Sequence, residues 1–322
     1  MIQFPRPKVV VSKCLGFEPC RWNSEIIRDE FTQKLASFVD FQPVCPEKEI
    51  GLGVPRKPVR LVEKSGRVRL MQLETMRDCS EDMQTFCDGF LEGLDEIDGF
   101  LLKGRSPSCG PVDVKIYAGM QKGAASRRGK GVFGEMILNQ YPDAAVEHEG
   151  RVHNFSIREH YLTKLFCLAR FREVKAEGSM GALVAFQAAH KLLLMAYNQS
   201  AMRKLGRLVA NPDKLPVNQV LAQYEPTLKK ALARGAAFTS HINVLMHAMG
   251  YFKNELNERE KAHFLDTLER YRAGKAPLST LLAVIGVWTA RWEQDYLENQ
   301  VYFNPYPLDL FEISDSGKGR NY

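Results

Sequence analysis

The sequence predicts an α/β N-terminal domain, an open and mostly parallel sheet with helices, followed by an all-α C-terminal domain. Three observations carry that expectation. In the first half, short apolar runs alternate with an amphipathic segment, as strand–helix–strand units require. In the second half, apolar residues recur almost everywhere at the 3.6-residue helical spacing. Charge divides in the same way: residues 1–150 hold 21 Lys/Arg against 22 Asp/Glu, and residues 151–322 hold 23 against 16, for nets of −1 and +7. The expected domains are 1–147 and 148–322, with Glu147-His148-Glu149-Gly150 as linker.

The elements follow from local signals. Lys8–Ser12 and Phe41–Cys45 read as buried strands, and Val59–Glu63 with Arg67–Leu70 as a hairpin around Lys64-Ser65-Gly66. Between Cys79 and Ile97 the apolar residues Met83, Phe86, Cys87, Phe90, Leu91 and Leu94 mark an amphipathic helix. Gly99–Lys103 is a further short strand. The Gly-, Ser- and Arg/Lys-rich stretch Gly119–Gly134 reads as a flexible loop, leading into a helix through Phe133–Asn139. Helices are expected over Ala185–Tyr197, His241–Leu256 and Leu278–Leu297. Another begins at Asn257, with Glu260 completing a capping box, and stops at Gly274 before Pro277.

Composition bounds the function. Hydrophobic content of 45% and charge of 25% describe a globular chain of 322 residues, enough for two cores. No apolar stretch approaches the roughly 18 residues of a membrane helix, and Met1–Pro7 has no signal-peptide pattern. A cytoplasmic protein with reduced thiols and no membrane partner is the expectation. The basic excess of the second half leaves room for RNA as a partner. It includes Arg158, Arg170, Arg172, His190, Lys191, Arg203, Lys204 and Arg207.

Seven cysteines are present. Cys87 and Cys167 fall on helical core positions, and Cys79 lies near a helix start, where a solvent-facing or capping role is expected. Cys14, Cys45 and Cys109 differ: each follows an apolar run and is flanked by Gly or Pro, as at a loop ending a strand. Open α/β sheets bind ligands at those carboxyl ends. Cys20 shares a loop with Cys14, close enough to be a fourth ligand. All seven histidines lie from His148 onward and no Cys-x-x-Cys pair occurs, which removes the usual zinc signatures. Three separated thiolates suit an iron–sulfur cluster. With three ligands on four irons, one iron stays open for Lewis-acid work. Glu47, two residues after Cys45, suits a general acid or base. Ser106 or Ser108 suits the positioning of substrate or water, and turn chemistry is the alternative for both.

At these residues a family resemblance appears. The segments Ser12-Lys13-Cys14-Leu15-Gly16, Arg21-Trp22-Asn23, Pro43-Val44-Cys45-Pro46-Glu47, Gly51-Leu52-Gly53-Val54-Pro55-Arg56 and Lys103-Gly104-Arg105-Ser106-Pro107-Ser108-Cys109-Gly110 resemble, in order, the thiouracil desulfidase family. The resemblance implies a [4Fe-4S] cluster held by Cys14, Cys45 and Cys109, with Glu47 and Ser106 as the catalytic residues handling protons and water. It also implies non-redox removal of sulfur from a thiolated pyrimidine base, nucleoside such as thiouridine, or thiolated RNA. The family usually continues its second segment with Asn/Asp-Gly, whereas Ser24 follows Asn23 here, and it does not use the Cys20 position as a ligand.

The second half resembles the YbgA-like domain through Arg158-Glu159-His160-Tyr161-Leu162, Leu168-Ala169-Arg170-Phe171, His190-Lys191-Leu192-Leu193-Leu194-Met195, Asn243–Phe252 and Pro305-Tyr306-Pro307. This resemblance implies a fold and no activity. Two other readings stand beside the desulfidase: an RNA-binding or interaction protein whose metal or cluster is structural, and a sulfur-inserting thiolase of related cluster chemistry.

Overall fold

The computed structural model describes residues 3–314; residues 1–2 and 315–322, included in the two-domain reading, lie outside the described residues. The described residues divide into two compact units, one of residues 3–169 with 309–314 and one of residues 170–308.

The first unit contains two sheets. In the first, β1 (Lys8–Ser12), β2 (Asp40–Val44), β6 (Gly99–Leu102) and β9 (Ala145–His148) run parallel in the order β2-β1-β6-β9. The Val9-Val10-Val11 run of β1 is fully buried, as a central parallel strand covered on both faces must be. The second sheet is mixed, in the order β5 (Arg77–Asp78), β4 (Arg67–Gln72), β3 (Val59–Lys64), β7 (Val114–Tyr117), β8 (Ser126–Gly129). Between strands lie α1 (Glu30–Leu35), α2 (Pro46–Glu49), α3 (Ser80–Glu92) and α4 (Val132–Gln140). Val10, Val44, Leu61, Met83, Phe100 and Phe133 belong to one buried apolar cluster.

The expected α/β and all-α classes are present. Three local expectations are corrected. Glu147 and His148 are not linker but the end of β9, paired with Leu101 and Leu102. The stretch 119–134 is not a loop throughout: it contains β8 and the start of α4. Cys79 occupies the N-cap of α3 but is fully buried and makes no side-chain cap, so it is a packing thiol.

Helices α5 (Phe155–Glu177), α6 (Met180–Ala189), α7 (Lys191–Ala210), α8 (Val217–Ala231), α9 (Phe238–Gly250), α10 (Glu258–Arg272), α11 (Leu278–Arg291) and α12 (Asp295–Glu298) follow. The capping box Asn257–Glu260 forms as expected, so two otherwise orphaned N–H groups are satisfied reciprocally. The single helix expected over Ala185–Tyr197 is broken at His190. That ring stacks on Phe186 with centroids 3.8 Å apart, and Nδ1 lies 2.8 Å from the Phe186 carbonyl oxygen. Leu278–Leu297 likewise divides into α11 and α12. No single helix among the described residues is long and apolar enough to cross a membrane.

Candidate active site

Parallel pairing brings three strand ends to one edge. Ser12 of β1 is in register with Val44 of β2, and Val11 with Leu101 of β6. Cys14 follows β1, Cys45 follows β2 directly, and Cys109 lies in the loop after β6. Two further links tie the first two loops: the Lys13 N–H donates to the Val44 carbonyl at 2.8 Å, and Glu18 pairs with both Lys13 and Lys48. Cys14 is half-buried; Cys20, Cys45 and Cys109 are buried.

The thiols are mutually coupled. The Cys45 thiol points at the Cys20 carbonyl oxygen, 3.8 Å away. The neighbouring Cys14 thiol, with burial behind it, pushes Cys20 up to about 11. Cys45 is raised further, by Cys20 first and burial second. Burial raises Cys109, which also feels Cys45 and Glu47; the hydroxyls of Ser12 and Ser106 act the other way.

Glu47 is the carboxylate of this edge. It sits in α2, which Pro46 starts at the position where a missing N–H costs nothing. Its Oε1 accepts the Ser108 hydroxyl at 2.8 Å, and its Oε2 accepts Nε and Nη2 of Arg56 at 2.9 and 2.5 Å. The Arg56 side chain is 4% exposed and that of Glu47 13%. Arg56 also donates from Nη1 to the carbonyls of Cys20 and Gly53, at 2.9 and 3.0 Å. One guanidinium thus joins the catalytic candidate to the Cys20 backbone.

The loop bearing Cys109 is rigidly held. Ser106 Oγ accepts the N–H groups of Ser108 and Cys109 at 3.2 and 3.1 Å, so the turn role weighed in the sequence is the one that oxygen fills. Backbone N–H groups at the start of α4 reach the loop's carbonyls: Val132 to Pro107 at 3.1 Å and Gly134 to Ser108 at 3.1 Å. A Cβ on Gly131 would come within 2.5 Å of the Ser108 oxygen, and one on Gly134 within 2.6 Å of the Gly110 oxygen. These glycines serve close approach, not looseness. At the loop's start, Glu149 accepts the Gly104 N–H at 2.6 Å and pairs with Lys103. Burial opposes its charge, but Lys103 and that N–H outweigh it and hold its carboxyl below the usual range.

The five residues singled out in the sequence, Cys14, Cys45, Cys109, Glu47 and Ser106, therefore gather at one edge. Sequence reasoning passed over Arg56, although it ends one of the quoted segments, and Ser12, which is buried and accepts the Lys103 N–H at 2.8 Å. It also passed over Glu149, for which no local signal exists. Ser24 has φ of 61°, the left-handed region that favours the glycine expected there.

The basic residues offered for RNA do not form a common exposed set. Arg158 is buried and donates to the carbonyls of Val152, Glu312 and Ser314, at 2.9, 2.6 and 2.8 Å. His190 is buried within helix packing, and Arg170 Nη1 donates to the Pro305 carbonyl at 2.7 Å. Lys204 and Arg207 line a surface pocket that also contains Asp213. His241 is taken up in helix packing, with the Tyr302 hydroxyl oxygen 2.8 Å from its Nδ1.

The donor set is all soft sulfur, which selects iron–sulfur chemistry over hard cations. Among the described residues no three His, Cys, Asp or Glu side chains are arranged to hold one metal ion. A four-iron cluster distributes its thiolate ligands over separate irons, so thiols on separate loops at one buried edge fit it.

Two family models match separate parts of the chain. The family model described as 2-thiouracil desulfurase matches residues 9–149, and that described as a protein of unknown function, DUF1722, matches residues 191–307. The curated protein called "Uncharacterized protein YbgA" of Escherichia coli (strain K12) is 30% identical over 148 residues, 45% of this chain and 88% of that protein. "Uncharacterized protein YbbK" of Bacillus subtilis (strain 168) is 31% identical over 109 residues, 32% of this chain and 72% of that protein. A solved structure of a [4Fe-4S]-dependent thiouracil desulfidase, TudS, is 27% identical; the match covers 46% of this chain and 93% of that one, with a TM-score of 0.35.

Proposed function

Because the chain belongs to the 2-thiouracil desulfurase family through its N-terminal part and to the DUF1722 family through its helical part, we propose that it is an enzyme removing sulfur from a thiolated pyrimidine without net redox chemistry. Cys14, Cys45 and Cys109 hold a [4Fe-4S] cluster in this reading. When bound, the cluster supplies an iron without a protein ligand, a Lewis acid for the thiocarbonyl sulfur of the substrate.

The chain's own residues handle water and protons. Glu47 takes a proton from the water attacking the thiocarbonyl carbon, using carboxylate lone pairs that Ser108 and Arg56 leave free. Arg56 and Ser108 fix the direction in which those lone pairs point. The Ser106 oxygen already accepts two N–H groups, so its hydroxyl proton is what it contributes to substrate or water. The carbon–sulfur bond breaks, a carbonyl replaces it, and sulfur leaves as hydrogen sulfide. Electrons balance with no oxidant or reductant.

The observation that carries this reading is the meeting of three strand-end cysteines with Glu47 at one sheet edge. It is tested by anaerobic reconstitution with iron and sulfide, followed by incubation with 2-thiouracil, 4-thiouracil, thiouridine or thiolated transfer RNA. Stoichiometric sulfide and the oxygenated base are expected from at least one substrate, and Cys109→Ala should abolish both. Cluster-loaded protein that leaves all four untouched overturns the desulfidase reading in favour of a structural cluster.

A further inference from the structure

We propose that Glu149 is a positioning residue of the active site: with Lys103 it latches the start of the Cys109 loop to the end of β9. The proposal rests on the reading above and adds a residue that handles neither the water nor its proton. The Glu149 carboxylate divides its two oxygens. Oε2 accepts the Gly104 N–H at 2.6 Å; Oε1 pairs with the Lys103 ammonium, which also donates to the Gly104 carbonyl at 2.8 Å. Both polar groups of Gly104 are thus held by one ion pair, whose Lys103 and Glu149 side chains are 23% and 14% exposed. Backbone contacts repeat the attachment on either side. The Glu149 N–H donates to the Leu102 carbonyl at 3.3 Å, and the Lys103 N–H donates to Ser12 Oγ at 2.8 Å. The His148 ring fills the space beside Gly104, where a Cβ would come within 2.5 Å of Nδ1.

What the latch holds is a closed piece of chain. The Gly110 N–H donates to the Ser106 carbonyl at 3.0 Å, and Ser106 Oγ accepts the N–H groups of Ser108 and Cys109. Residues 106–110 therefore move together, and a shift at Gly104 carries Ser108 away from its hydrogen bond to Glu47. Arg105 stands between the latch and this piece. It is exposed and has φ of 60°, a left-handed conformation that a residue with a side chain keeps only under constraint. Without its pinned neighbours it would relax and swing the loop. A misplacement of about 1 Å costs on the order of 100-fold in rate.

The test compares wild type, Glu149→Ala, Glu149→Gln and Gly104→Ala. In the cluster-free proteins, hydrogen–deuterium exchange over residues 104–110 should run about tenfold faster in Glu149→Ala and Gly104→Ala, with β1 and β2 unchanged. Glu149→Gln keeps one acceptor oxygen and should fall between. In cluster-loaded protein, kcat for sulfide release should drop about 100-fold in Glu149→Ala with KM unchanged. Adding Ser108→Ala should cost little more, because both changes disable the same hydrogen bond to Glu47. Unchanged exchange over 104–110 overturns the proposal, as does a double variant whose loss is the product of the two single losses. Faster exchange throughout the first unit, β1 included, also overturns it, since Glu149 would then serve the fold at large. Should Glu149→Ala fail to fold, Gly104→Ala and Glu149→Gln decide by the same measurements. Wild type that releases no sulfide from any thiolated base defeats the proposed function alone, and exchange then decides the latch.

Discussion

Glu47 and Ser108, 61 positions apart in sequence, are joined by a 2.8 Å hydrogen bond from the serine hydroxyl to Oε1. Ser108 is fully buried, so this hydroxyl has been withdrawn from water to serve one carboxylate. Ser106, closer to the surface, spends its oxygen on the loop backbone instead. The two serines flanking Pro107 therefore divide the work: one aims the carboxylate, and the other shapes the turn that carries Cys109.

Ser108→Ala should lower the rate of sulfide release by about 10- to 100-fold, the usual effect of removing an orienting partner. Iron content should stay at the wild-type level, because the turn is kept by Ser106. Ser106→Ala should show the reverse emphasis, with iron content falling alongside activity. Measuring iron per chain and sulfide release on both variants decides the matter; equal iron loss in both would contradict the division.

Arg56→Gln leaves the Glu47 carboxylate in a mostly buried site without its cation. Breaking one side of a buried pair costs about 3–5 kcal/mol, here tempered by the residual exposure of Glu47, so a clear drop in thermal stability of the cluster-free protein is expected. Arg56→Lys restores charge but not the fork that grips Oε2 twice and reaches two carbonyls. It should fall between wild type and Arg56→Gln in melting temperature.

The cysteines should separate cleanly by iron content. Cys45→Ala is expected to lose most of the bound iron. Cys79→Ala and Cys87→Ala are expected to keep it, and each should lose about 1 kcal/mol of stability from the small cavity left in the core. Burial first and Asp88 second push the Cys87 thiol up to about 12, as befits an inert packing group. Iron loss from Cys87→Ala equal to that from Cys45→Ala would refute the assignment.

Stability should fall in mild acid. Burial lowers His148, His160 and His241 to about 4 and His190 to about 3, from 6.5. Below 6.5 the unfolded chain takes up protons that the folded chain refuses, so stability present above that pH is lost as pH falls toward about 4. Urea unfolding midpoints of the cluster-free protein at about pH 7 and about pH 5 test this; equal midpoints would contradict it.

Much of the site was legible locally. An apolar run followed by a Cys flanked by Gly or Pro marks a loop at a strand end, and Cys14, Cys45 and Cys109 all carry that signature. Pro46 before Glu47 starts a helix by its own geometry, and the Asn257–Glu260 box needs only four residues. Other features were misread because the local signal pointed elsewhere. Gly131 and Gly134 looked like flexibility, yet their missing side chains let α4 touch the Cys109 loop. Glu147 and His148 looked like a linker, but pairing with β6 turned them into a strand. Glu149, Ser12 and Arg56 act on residues far along the chain, and periodicity carries no information about such partners.

The sequence by itself determined the strand-end cysteines, the lack of histidine in the first 147 residues, and the helical character of the second half. These depend on residue type and short-range spacing, which backbone sterics and side-chain burial translate directly. Tertiary structure decided which strand ends meet, because parallel register sets the carboxyl edges of β1, β2 and β6 side by side. It also decided that Arg56 and Ser108 converge on Glu47, and that Arg56 ties that carboxylate to the Cys20 carbonyl. Charge pairing and hydrogen bonding act through space, and only the folded chain supplies those distances.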